Sequence, residues 1–154
     1  AYSDRYLRAP LQVLLLMRTA AALRDALATK GASLPFSVQT SPLGNRADGG
    51  HSRLIHDWRF EDDRKGTAVD LAKRLGLDCT FLSGQISHGR KMTLQFDDQT
   101  NAVILFDQGF GYWRASGSDS HNFRMQASIQ ANALLNSSTL VSGLGESYIA
   151  ITRG

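Results

Sequence analysis

The residues with the most chemistry in a short span are His88 and Arg90, in "SHGRKM" over residues 87–92. An imidazole is a nucleophile or proton carrier, and a guanidinium forks onto phosphate oxygens and keeps its charge at all working pH values. Side by side just before an alternating run, they suit a phosphodiester ligand, with Lys91, Arg8 and Arg114 supplying positive field. The same two residues also suit a strand start with no chemistry. Around the N-terminus, Arg5 and Arg8 flank Tyr6, a basic and aromatic grouping that fits a nucleic-acid backbone or a lipid head group. Its structural counterpart is a local Asp4–Arg8 ion pair. Phe110, Tyr112 and Trp113 offer stacking surfaces, although aromatics after a core strand more often pack inward. His56 beside Asp57 and His121 in "SDSH" read as surface or capping residues.

The elements that position these residues follow from periodicity. Pro10 to Lys30 is nearly all helix formers, with proline at the first turn and Gly31 at the stop, and reads as a long, mostly buried helix. "PFSVQT" (35–40) alternates and reads as a strand, and 41–51 as an exposed loop. "EDDRKGTAVDLAKRLG" (61–76) has acids in its first turn, bases in its last and an apolar face of Ala68, Leu71, Ala72 and Leu75, so it is an amphipathic helix on a sheet. "DCTFLS" (78–83) reads as a buried strand and "RKMTLQF" (90–96) as a half-buried one. The turn residues "DDQTN" join the latter to "AVILF" (102–106) as a hairpin. "FRMQASIQANALL" fits helix or strand, and "ESYIAIT" (146–152) closes as a strand. The expected fold is one α/β domain over 1–154, with a central mixed β-sheet flanked by helices.

Composition limits the function classes. Seventeen Lys plus Arg against 14 Asp plus Glu give a formal charge of +3 and a pI near 9.3, which tilts toward anionic partners. Cys79 is the only cysteine, so there is no intrachain disulfide and no thiolate cluster, as in a reducing, cytoplasmic setting. His51, His56, His88 and His121 lack zinc-site spacing; neither metal nor cofactor is expected. The most apolar run is broken at Arg18, well short of the roughly 20 residues that span a bilayer. The opening residues do not read as a signal peptide, and the chain reads as a domain cut from a longer polypeptide.

Three stretches in order carry a resemblance. Asp4, Tyr6, Leu7, Arg8 and Gln12 stand as in D-x-Y-[IL]-R-x-x-x-Q; His88, Arg90 and Met92 as in H-D-R-x-[IM]; Gly109, Tyr112 and Trp113 as in a strand ending in G-R-G-L-D-Y-F. Over residues 1 to about 114 the chain thereby resembles the phospholipase D-like C-terminal domain of the MIT-domain-containing cytokinesis protein. Gly89, Asp107, Gln108 and Gly111 depart from the pattern. The resemblance implies a phospholipase D-like fold, a possible homodimer and acidic-phospholipid binding without established hydrolysis. Similar domains are appended to bacterial DNA-processing and phage-defence proteins, including large helicases.

In the catalytic relatives the signature is H-x-K-x4-D. Here Arg90 takes the lysine position and Gln95 the aspartate position, while Asp97 and Asp98 fall two and three residues late, which weakens covalent catalysis. The reading is therefore an accessory module that binds a phosphodiester ligand, or docks on a helicase or motor core, without turnover. The alternatives are a phosphodiesterase using His88 as nucleophile and an acidic-phospholipid-binding domain.

Overall fold

The computed structural model describes residues 1–27, 35–44, 57–87, 89–96, 98–107, 109–110, 114–115, 141–142 and 149–153. Strand β1 is Tyr2–Ser3, helix α1 Pro10–Leu27, β2 Pro35–Thr40, α2 Glu61–Arg74, β3 Asp78–Ser83, β4 Lys91–Gln95 and β5 Asn101–Phe106. The short strands β6 (Arg114–Ala115) and β7 (Val141–Ser142) pair as a separate ribbon, and β8 is Ile149–Arg153. The main sheet has the order β3-β2-β1-β4-β5-β8. Strands β1, β2 and β3 run parallel, linked through the two helices, whereas β4, β5 and β8 continue antiparallel. The fold is thus α/β with a mixed sheet, as expected from the alternation of elements.

Register explains which residues are inside. Phe81, Val38, Tyr2, Met92 and Ile104 are paired in sequence across five strands and so share one face. All five are buried, in one cluster with Val13, Leu14, Leu16 and Met17 of α1 and Ala68, Leu71 and Ala72 of α2. Each large apolar side chain so buried stabilises the fold by about 1.5–3 kcal/mol. One residue along, Leu82, Gln39, Ser3, Lys91 and Leu105 form a row on the opposite face, and all but the half-buried Ser3 are exposed. This one-sided covering corrects the reading of 78–83 as a buried strand. β3 is the sheet's edge, and only Phe81 is fully inside.

The helix boundaries have local causes. At α1, Pro10 occupies the first helical position and Gln12 folds back, its Oε1 accepting from the Arg8 and Ala9 N–H groups at 2.7 and 3.0 Å. At the end of α2, Gly76 is left-handed (φ 70°); its N–H donates to the Lys73 carbonyl and that of Leu77 to the Ala72 carbonyl. This double closure is the Schellman motif that Gly76 signalled in the sequence. Arg24 of α1 adds bonds to the Leu75 and Gly76 carbonyls at 2.7 and 2.6 Å, locking one helix to the other's end.

Candidate functional site

In open α/β sheets, ligands bind outside the carboxyl ends of the strands, where the chain order reverses. Here that place lies beyond β1, which is flanked by parallel β2 on one side and antiparallel β4 on the other. Ser3 pairs with Lys91, so the next residues outward, Asp4 and Arg90, face one another. Two residues read separately in the sequence therefore meet at the switch point.

Asp4 is fully buried. Its Oδ2 accepts from the Tyr2 hydroxyl at 2.7 Å and its Oδ1 from the Tyr6 N–H at 2.8 Å. Arg90 Nε lies 3.8 Å from Oδ1, an ionic contact too long for a hydrogen bond, and Nε has no hydrogen-bond partner. Arg90 also donates to the Asp107 carbonyl at 2.6 Å and lies over the Tyr6 ring at 5.1 Å. Burial pushes the Asp4 carboxyl above its ordinary range, against the Tyr6 and Tyr2 hydrogen bonds and the Arg90 charge, which act downward. Burial, and then the Asp4 charge, push the Tyr2 phenol up. The expected Asp4–Arg8 ion pair is corrected: Asp4 turns inward to Tyr2, Tyr6 and Arg90, because β1 carries it into the sheet.

Gly109 closes the cluster. Its φ is +61°, and a Cβ there would lie 2.5 Å from Asp4 Oδ2 and 2.7 Å from Arg90 Cδ. Phe110 is buried, its ring 5.4 Å from those of Tyr2 and Phe106, so of the three aromatics after β5 this one packs inward.

A second arginine, which periodicity did not single out, ties the neighbouring strand ends. Arg64 of α2 is fully buried and donates to the carbonyls of Leu7 at 3.0 Å and Ser41 at 2.9 Å, to Glu61 and to Ser83 Oγ. Its guanidinium also lies 5.5 Å from the Phe81 ring centroid. Burial acts to raise the Glu61 carboxyl, yet hydrogen bonds from Arg64 and the Leu43 N–H, with the Arg64 charge, bring it below its usual range.

Charges of both signs interleave along this edge of the sheet. Among the described residues, Arg5, Arg8, Arg59, Arg64, Lys65, Arg90 and Lys91 stand with Asp4, Asp57, Glu61, Asp62, Asp63 and Asp107, seven cations to six acids.

Of the residues read as a phosphate site, Arg90 is internally engaged with its side chain 22% exposed, Lys91 is exposed on the uncovered face and Arg8 is half-buried. His88 lies outside the described residues, as do His51, His56, His121, Tyr112 and Trp113; Arg114 is placed only as backbone in β6. Asp4, Tyr6, Gln12 and Gly109, read as motif residues, prove to build the turn from β1 into α1 and the closure over it. Cys79 is half-buried, its thiol pushed up to about 11 by burial and then Asp78, which suits packing rather than a nucleophile. Among the described residues no group of three or more His, Cys, Asp or Glu comes together to hold a metal, and no helix is long and apolar enough to cross a membrane.

Fold and site together define an open α/β domain whose strand-end arginines are anchored to its own carboxylates and carbonyls. The family model for the C-terminal domain of the DEAD/DEAH box helicase YjiV matches residues 1–153, and the chain belongs to that family. No curated protein and no solved structure matches it. The family match corrects the resemblance to the phospholipase D-like domain of the MIT-domain-containing protein. The physical reason is visible in the matched residues: Asp4, Tyr6 and Gln12 shape one local turn, work that a short motif can do in more than one family. The expected setting within a helicase stands, in the form of a helicase-associated C-terminal domain.

Proposed function

We propose that this chain is a docking domain of a DEAD/DEAH-box helicase, acting without turnover by seating on the helicase body. The observation that carries the reading is the engagement of Arg90: Asp4, the Asp107 carbonyl and the Tyr6 ring hold its guanidinium within the domain. The interleaving of seven cations with six acids among the described residues of this edge supports it further, because a polyanion-binding surface needs several uncompensated cations.

A second reading is favoured by the exposure left at Arg90 and Lys91: the strand ends contact a phosphodiester backbone, with His88, Arg90, Lys91, Arg8 and Arg114 as the contributing residues. An acidic-phospholipid surface would draw on the same cations.

The experiment compares amide hydrogen exchange of the intact helicase with that of this domain alone, whose buried apolar cluster gives it a core of its own. Docking predicts surface segments protected in the intact protein and exchanging in the isolated domain. Labelled DNA is titrated in parallel over a salt series. Equal exchange in both proteins, together with salt-steep DNA binding lost in an Arg90→Ala, Lys91→Ala variant, would replace docking by the phosphodiester reading.

A further inference from the structure

Phe60 breaks two local rules at one position. It is the N-cap of α2, with extended backbone (φ −120°, ψ 137°) and no side-chain capping bond, where Ser, Thr, Asp or Asn is strongly preferred. It is also 66% exposed, more than any other large hydrophobic among the described residues. Trp58, two residues earlier, is buried, and its N–H donates to the Arg8 carbonyl at 3.0 Å, so this short segment is pinned against the carboxyl edge of the sheet. A residue that forgoes both the cap and burial on a pinned segment marks a functional position, because such conflicts concentrate where function opposes stability.

The surroundings choose the class of partner. Arg59, Asp62 and Lys65 are exposed, and Asp63 is half-exposed. The Glu61 carboxylate is turned to the Leu43 N–H and Arg64. Asp62 and Asp63 offset Arg59 and Lys65, so the patch has no net positive charge with which to draw a phosphate backbone or an anionic bilayer. A single large aromatic rimmed by both signs of charge instead matches the anchor of a protein interface, which fills an apolar pocket while the rim excludes water. For a chain in the family of a helicase's C-terminal domain, the remainder of the helicase is the protein held at high effective concentration.

We propose that Phe60 is the anchor through which this domain docks, inserting into an apolar pocket, rimmed by charges of both signs, on the helicase body of the same polypeptide. The proposal rests on the docking reading and names its contact point. Lys65, Arg59 and Asp62 form the rim, and Arg64 with Glu61 stiffens the segment that presents the ring.

Two substitutions test it in the intact helicase and in the isolated domain. Phe60→Ser supplies the missing cap, so the isolated domain keeps its fold and its Tm rises by a few degrees. In the intact helicase the same change is expected to abolish the protection of 57–63 in excess of that in the isolated domain carrying the same substitution, while Phe60→Trp retains that excess. Protection elsewhere on the domain that survives Phe60→Ser intact would overturn the anchor and leave docking standing. No protection anywhere in the wild-type helicase would remove docking and the anchor together. Single-stranded DNA binding weakened by Phe60→Ser, with protection unchanged, would make Phe60 a base-stacking residue and overturn the proposal in that direction.

Discussion

Replacing Gly109 by alanine should cost more than the same change at Gly44, Gly76, Gly84 or Gly89. Two terms combine. The backbone at φ +61° disfavours a residue with a Cβ by about 1–2 kcal/mol. The new Cβ would stand 2.5 Å from Asp4 Oδ2, so the carboxylate must move off its bond to the Tyr2 hydroxyl in a fully buried site. Leaving a buried group short of its partner costs about 1–3 kcal/mol, more for a charge. Alanine restricts the unfolded chain and returns up to about 1 kcal/mol. The net loss is then about 1–5 kcal/mol, or a Tm lowered by roughly 2–20 °C for a chain of this size.

The assay is urea and thermal unfolding of wild type, Gly109→Ala and Gly84→Ala. Gly84 has nothing within 4 Å of its would-be Cβ, so alanine there should stay within about 0.5 kcal/mol of wild type. An Asp4→Ala, Gly109→Ala double variant should show coupling of at least about 1 kcal/mol, since both changes act through the same carboxylate. A Gly109→Ala protein as stable as Gly84→Ala, with additive behaviour in the cycle, would refute the close approach of these groups.

Two further predictions concern the buried charges. Arg64→Ala should destabilise by about 1–3 kcal/mol, because the Leu7 and Ser41 carbonyls lose their donor while the partly exposed Glu61 turns to solvent. Arg64→Met should fall between it and wild type by keeping the volume; equal stability of all three in denaturant would show that the Leu7 and Ser41 carbonyls do not depend on this side chain. The two carboxyls should give opposite pH dependence. Asp4, raised by burial, contributes most favourably below its unfolded value of about 3.9 and loses that contribution as pH rises through its folded value, so wild type gains on Asp4→Asn as pH falls. Glu61, lowered mainly by Arg64 and the Leu43 N–H against its burial, contributes above its unfolded value of about 4.3 and loses this as pH falls, so wild type loses ground to Glu61→Gln below about pH 4. Urea midpoints from pH 7 to pH 3 check both signs, and parallel curves for a variant and wild type would remove the corresponding assignment.

Local signals were sufficient for much of the fold. Proline at the start of α1, acids and bases at opposite ends of α2, Gly76 after it and the turn residues between β4 and β5 each act within a few residues of the structure they specify. β1 carries no such signal, because two residues have no measurable period; its place at the centre of the sheet depends on β2 and β4 arriving on either side. The same limit applied to β3, whose apolar run does not distinguish a central strand from an edge.

The candidate site divides along that line. Sequence by itself determined which residues are ionisable, where α1 begins and where α2 begins and ends, and that Asp4, Tyr6, Gln12, Arg90 and Gly109 were worth attention. Only the tertiary structure decided what they do. Asp4 and Arg90 are 86 positions apart in the chain and meet through strand register. Arg64 looks like one more charge on a solvated helix until the loops after β1 and β2 bring two carbonyls to it. Charge is a property of a side chain, but whether that charge is available to a ligand depends on burial and on partners distant in sequence, and these exist only in the folded chain.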